Sequence, residues 1–282
     1  MIPFSGRMPE ESNPMIFDTH VHYDDRRFDE DRGEILQGLS AAGIGGAVNI
    51  GCDVKTSEAG QALAEGRPRL WFTAGFYPDN AAEAEAMGED AALAFLRRML
   101  AHPKAVGIGE IGLDYNGFDR YPEKPEPALQ RKWLRLQLQL AQELDKPVVI
   151  HSRDAAAETV GFVKNEMRGL NKVLHCFSYS REIAAQCLDE GCYLGIGGVV
   201  TFNNGRKMKD VVDYMPTDRL LLETDCPYLA PEPFRGRRNS SYLLPYVVRT
   251  VAEIKGIPPE EVERISWENA LRFYRIDPKE LH

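Results

Sequence analysis

The stretch MIFDTHVH, Met15–His22, reads as a short strand that ends in two histidines one residue apart. Strand alternation predicts Asp18, His20 and His22 on one face, with Thr19 and Val21 turned toward covering helices. Two imidazoles on one face at one strand end suit chelation of a single divalent ion. The same kind of run recurs along the chain as GAVNIG (46–51), LWFTAG (70–75), AVGIGE (105–110), PVVIH (147–151), KVLH (172–175), YLGIG (193–197) and LLLETD (220–225). Helical patterns lie between them, over Glu30–Ala42, Ala91–Ala101, Leu129–Leu144 and Asp154–Met167. In the third of these, Trp133, Leu136, Leu140 and Leu144 form the stripe of a helix packed on a sheet. Each gap leaves room for a crossover helix, as parallel strands require. Eight such βα units in 282 residues predict an α/β fold, the (β/α)8 TIM barrel. We expect one domain over residues 15–282, preceded by a flexible polar leader over residues 1–14.

Composition narrows the function classes. Hydrophobic residues at 43% and charged residues at 27% are ordinary globular usage and exclude a mainly disordered chain. The 34 Lys+Arg against 43 Asp+Glu leave a net charge of −9, unlike a histone-type duplex binder. An acidic total still admits an enzyme of phosphodiesters, because bound cations reverse the local field. The five cysteines contain no CxxC pair, which indicates neither a disulfide framework nor a zinc ribbon and points to a reducing compartment. No run of about 18 apolar residues spans a membrane, and MIPFSGRMPEESNP has no signal-peptide core. The expectation is a cytoplasmic protein with no membrane association and no obligate protein partner.

The histidines carry the chemistry. His20, His22, His151 and His175 fall at predicted strand ends, and Glu110 and Asp225 end strands four and eight. From Glu110 to His151 and from His151 to His175 is one barrel unit each, and from His175 to Asp225 two. Barrel active sites form on that rim. Alone, each residue reads as a rim polar side chain; together, six metal-capable groups on one face read as a metal site. Four imidazoles and two carboxylates can hold two cations of the Zn or Mn kind, and a bridging carboxylate brings such ions to about 3.5–4 Å. Glu110, central in strand order, is the natural bridge. His102 precedes strand four and His282 is terminal, so neither joins. Gly107–Gly112 spells GxGxxG, but it runs through a strand and no helix follows, so a dinucleotide site fails its context.

FDTHVH (17–22), IGEIGLDY (108–115), PVVIHSRDA (147–155), LHCFS (174–178) and LLLETDCPYLAP (220–231) resemble, in order, the signatures of the TatD-family metal-dependent deoxyribonucleases. The resemblance extends to WENALRFY near the C-terminus and implies an amidohydrolase-like barrel of the metal-dependent hydrolase type. It implies that His20, His22 and Asp225 hold one divalent cation, His151 and His175 a second, and Glu110 both, the ions being Zn, Mg or Mn. The chain departs from the family at Gly75-Phe76-Tyr77-Pro78, where relatives usually read GxHP, and at Arg238-Asn239-Ser240-Ser241, where they often read RNEP. Both departures bear on substrate contacts and leave the metal set intact.

Hydrolysis by metal-activated water follows, with Asp225 and the bridging Glu110 as the catalytic carboxylates and Asp225 orienting or deprotonating the water. Glu223 reads either as a support for a liganding histidine or as an inward carboxylate paired with a cation. Arg153 suits a bidentate grip on phosphate or, alternatively, a salt bridge with Asp154 or Glu158. Arg235, Arg237 and Arg238 could add phosphate contacts. Tyr77, Tyr115, Phe177 and Tyr228 could stack on bases or pack their loops. The expected substrate is DNA, attacked in single strands or at ends, with 3′ to 5′ polarity implied by the resemblance. The competing reading is a metallohydrolase of small amides or lactones with the same ligands.

Overall fold

The computed structural model of the chain describes residues 15–117 and 124–281. The leader expected over residues 1–14, Tyr121–Glu123 of the proline-rich loop and His282 lie outside the described residues. Eight strands, β1 (Ile16–Val21), β2 (Ile44–Asn49), β3 (Leu70–Ala74), β4 (Ala105–Asp114), β5 (Val148–Arg153), β6 (Lys172–Leu174), β7 (Tyr193–Ile196) and β8 (Leu220–Leu222), pair in parallel in sequence order. Val21 bridges Cys226 in parallel, closing the last strand onto the first. The helices are α1 (Arg32–Gly38), α2 (Val54–Ala64), α3 (Ala81–Met87), α4 (Glu89–Leu100), α5 (Pro127–Leu144), α6 (Ala156–Asn165), α7 (Arg181–Asp189), α8 (Arg206–Tyr214), α9 (Leu244–Lys255) and α10 (Pro259–Tyr274). All eight expected strands form, and the architecture is the (β/α)8 barrel.

Three differences from the sequence reading have local causes. The helix expected over Glu30–Ala42 ends early, passing into a 3-10 turn that stops at Gly43, whose φ of 81° lies in the left-handed region. Strand four continues past Glu110 to Asp114. Strict alternation fails in β1, where the register against β2 shifts between Asp18 and Val21. Asp18 is therefore not on the histidine face. Its carboxylate instead accepts bonds from Thr224 N (2.9 Å), Thr224 Oγ1 (2.7 Å) and Ser241 Oγ (2.6 Å).

One buried cluster takes a residue from every strand: Phe17, Val48, Trp71, Val106, Val149, Val173, Tyr193 and Leu221. All but Val48 lie early in their strands, and together they fill the barrel interior, with Phe273 and Tyr274 of α10 closing that end. The outward-facing strand residues pack beneath the helices. On α5 the buried face includes two glutamines beside Trp133 and Leu138. Gln137 accepts from Phe76 N (2.7 Å) and donates to Phe76 O (3.1 Å); Gln130 does the same for Asp114 (2.9 and 3.0 Å). Buried amides so paired fix the backbone of rim residues rather than costing stability.

Candidate metal centre and active site

The six rim residues converge. His20 and His22 face each other through Nε2 at 3.2 Å. Asp225 Oδ1 stands 3.7 Å from the first and 3.4 Å from the second. Barrel closure sets this group, since Asp225 N donates to His20 O (2.9 Å) and His22 N to Cys226 O (2.8 Å). Asp225 sits past the end of β8 at a φ of 54°, a left-handed conformation that aspartate tolerates better than most residues.

Glu110 divides its two oxygens. Oε2 faces His20 Nε2 (3.5 Å) and His22 Nε2 (3.9 Å). Oε1 faces His151 Nδ1 (2.8 Å) and His175 Nε2 (2.7 Å), which are 3.2 Å from one another. The glycines dismissed as a dinucleotide motif make this placement possible. Gly109 and Gly112 have φ of 152° and 147°, and a Cβ at Gly112 would stand 1.9 Å from His151 O. Their bare backbones let β4 lie against β5 on both sides of the glutamate.

Behind these six side chains stands a further layer. His151 turns Nε2 to Asp114 Oδ2 (3.1 Å), leaving Nδ1 toward Glu110. Asp114 also accepts from Tyr77 OH (2.9 Å), Asn116 N (2.9 Å) and Lys124 Nζ (2.5 Å). Glu223 lies behind His175, with Oε1 3.7 Å from Nδ1, and accepts from Cys176 N at 2.5 Å. That places it as a support for a histidine rather than as the partner of a Lys or Arg. The Cys52 thiol lies 3.8 Å from Glu110 Oε2. Asp114, Lys124 and Cys52 were not singled out from sequence. For Asp114 the signal was available: it shares strand parity with Glu110 once β4 is carried on through IGLD.

The electrostatics favour positive charge between the carboxylates. Burial opposes ionisation of Glu110, yet His175, His151 and His20 outweigh it and hold the carboxyl well below its usual range. Burial likewise disfavours a charged His22, but Asp225, with help from Glu110 and Asp24, keeps its pKa at about 9. His20 moves the other way, pushed down by burial and then by His175. Imidazole nitrogens and carboxylate oxygens crowded this closely fit borderline divalent cations, which replace protons as the positive charge among the donors.

The sequence profile described as TatD related DNase matches residues 17–275. The chain belongs to the TatD family. Among its TatD relatives, the metal-dependent hydrolase YabD of Bacillus subtilis is 38% identical over 264 residues, covering 93% of this chain and all of that protein. The protein named 3′-5′ ssDNA/RNA exonuclease TatD of Erwinia billingiae is 37% identical over 268 residues, covering 93% and 99%. The crystal structure of the TatD homologue YjjV from Escherichia coli superposes with a TM-score of 0.83 at 29% identity, over 93% and 98% of the two chains. The chain is thus a metal-dependent hydrolase acting on ester bonds.

The outer residues fall less uniformly. Arg153 is exposed at the end of β5, and the carboxylates weighed as its partners are engaged elsewhere, Asp154 with Asn116 and Glu158 with Arg131. Tyr115 bonds its hydroxyl to Glu158, and burial followed by that carboxylate pushes its pKa up to about 12. Arg235 lays its guanidinium over the Phe202 ring (4.4 Å), and Arg238 pairs with Asp31. His102 stays outside the cluster, near Glu65. No helix among the described residues is long and apolar enough to cross a membrane.

Proposed function

We propose that this TatD-family enzyme is a 3′ to 5′ exonuclease of DNA, working on single strands or ends with two divalent cations of the Zn, Mg or Mn kind. The observation that carries the reading is the division of Glu110, one oxygen toward His20 and His22 and the other toward His151 and His175. In this reading His20, His22 and Asp225 would hold one cation, His151 and His175 the other, and Glu110 would serve both. When bound, such ions lower the pKa of water and stabilise charge on the attacking and leaving oxygens.

The chain's own groups do the rest. Asp225, kept ionised against burial by His22, His20 and His175, orients the attacking water and accepts its proton. Asp114 and Glu223 hold His151 and His175 in the orientation the ligands need. Arg153 grips a phosphate. A net charge of −9 supplies little to track a duplex, so attack begins where a few phosphate contacts suffice. The polarity and the single-strand preference are supported by the name of the Erwinia relative. Residues 15–282 act as one catalytic domain, and the five free cysteines accord with a cytoplasmic enzyme.

The test incubates 5′-labelled single-stranded and blunt duplex oligonucleotides with enzyme loaded separately with Mg, Mn or Zn, alongside Asp225→Asn. A ladder of shortened single strands, lost in the variant while metal is retained, is expected. Discrete internal cuts in duplex would reassign the enzyme as an endonuclease. Turnover of esters or amides without cleavage of any oligonucleotide would favour the small-molecule hydrolase.

A further inference from the structure

Of the four aromatic side chains named above for stacking, Tyr77, Tyr115, Phe177 and Tyr228, three are committed. Phe177 is buried at 4% exposure. Tyr115 is partly buried and bonded to Glu158. Tyr77 is locked by its hydroxyl between Asp114 (2.9 Å) and His151 Nε2 (3.1 Å). Tyr228 differs in exposure: its hydroxyl donates a long 3.5 Å bond to Asp25 Oδ2, but the residue is 47% exposed and its neighbour Leu229 38%.

Tyr228 borders the metal centre. Its ring stands 6.4 Å from that of His22 at an interplanar angle of 80°. Its backbone is pinned on both sides, Tyr228 N donating to Asp225 O (2.9 Å) and Tyr228 O accepting from Asn239 Nδ2 (2.8 Å). The Arg27 guanidinium covers one ring face at 4.1 Å and is itself clamped by Asp25 at 3.0 and 2.9 Å. Leu229 holds a φ of 53°, an uncommon state for a residue of its bulk and one that persists where the surroundings impose it. An exposed ring with a rigid mount, braced from behind by a cation, is a prepared surface.

We infer that Tyr228 is a base-stacking platform, receiving on its uncovered face a nucleobase of the strand whose phosphodiester lies at the metals. The inference rests on the nuclease reading and adds the substrate contact that the ligands cannot supply. A base on Tyr228 and a phosphate beside His22 lie within the span of one nucleotide. The platform contributes grip without sequence, because every base has a π-face. Arg27, already neutralised by Asp25, braces the ring rather than reading the base.

The experiment compares wild type, Tyr228→Ala, Tyr228→Phe and Tyr228→Leu on single strands whose 3′ end carries either a normal nucleotide or an abasic sugar. A second readout uses a phosphorothioate-protected strand ending in 2-aminopurine, whose fluorescence stacking quenches. The Ala and Leu variants should raise KM about ten-fold on base-bearing ends, and the Phe variant should match wild type. On abasic ends all four proteins should converge, and only wild type and Phe should quench 2-aminopurine. Wild-type cleavage with equal losses on both ends, or quenching unchanged in Tyr228→Ala, would overturn the platform and leave the nuclease reading standing. If wild type neither binds nor cuts any oligonucleotide with any metal, both fall together.

Discussion

At the N-terminal end of the barrel Phe17, Trp71, Val149 and their counterparts on the other strands make a dry plug under Phe273 and Tyr274. At the C-terminal end the same sheet presents imidazoles and carboxylates whose nearest N···O approaches run from 2.7 to 3.9 Å. Apolar contact dominates the first end, with hydrogen bonds only at its cover, from Tyr274 OH to Thr19 O (2.8 Å) and from Asn171 Nδ2 to Phe273 O (2.6 Å), and the plug itself tolerates a change of hydrocarbon as long as the volume is kept. The second end is held by polar neighbours: Asp114 stands behind His151, Glu223 behind His175 and the β1 backbone behind Asp225. The plug stabilises the fold and the rim spends that rigidity on placement. Substitutions at the two ends should therefore fail in different observables.

The largest effect is expected at Glu110, where both halves of the rim meet. Glu110→Ala should deplete both cations and cut turnover about a thousand-fold or more, as measured by elemental analysis and initial rates. Cations at about 100 times their Kd add about 2.7 kcal/mol to the native state, so chelation should lower the Tm of wild type and leave that of Glu110→Ala unmoved. Unchanged metal stoichiometry in the variant would refute the bridge.

At the other end, Trp71→Ala removes a fully buried indole stacked on Phe17 (ring centroids 5.7 Å apart). It should cost about 3–5 kcal/mol in denaturant unfolding, while the folded fraction keeps its metal content. Metal loss from folded Trp71→Ala protein would show that the two ends are not separable.

How far each end could be read from sequence follows the same division. The strands were legible because buried β-branched runs recur with helix-length gaps, and His20, His22 and His175 stand beside the observed ends of β1 and β6, whereas His151 lies inside β5, which runs on to Arg153, and β8 stops at Leu222, short of Asp225. Glu110 was found for a partly wrong reason, since β4 does not end there but runs on to Asp114. A parallel strand buried on both faces carries no alternation to mark its end, and the whole of β4 is buried. The shift in β1 that turns Asp18 to Thr224 and Ser241 leaves no trace in the string FDTHVH. Cys52 meets Glu110 from a loop far away in sequence, a pairing that only three-dimensional closure creates, whereas Lys124 folds back onto Asp114 from the loop that follows β4. The glutamines of α5 lie on its buried face, yet composition alone does not say that they clamp Phe76 and Asp114.

The layer behind the ligands offers an intermediate effect. Asp114→Asn keeps the volume but weakens the hold on His151 Nε2 and leaves Lys124, whose side chain is 7% exposed, with a poorer counter-charge. Loss of such a support typically lowers metal affinity about 10- to 100-fold. Calorimetric titration should show the loss at one of the two sites, the one served by His151 and His175. Equal weakening of both sites would mean that Glu110, not His151, transmits the change.

The smallest effect sharpens the contrast where the rim meets substrate. Arg153 is exposed, so Arg153→Ala should leave stability within about 0.5 kcal/mol of wild type. Its loss should be felt only when a phosphate arrives. For single strands, log affinity falls with log salt at about −0.7 per phosphate neutralised, so removing one contact should flatten the slope by about that amount. Fluorescence anisotropy of a labelled, hydrolysis-resistant single strand across a salt series measures it directly. Arg153→Lys should recover the slope, because a point charge still displaces a counterion, yet recover less of the affinity, because an ammonium cannot make the forked pair of bonds a guanidinium makes to phosphate. An unchanged slope in Arg153→Ala would remove this residue from the substrate path.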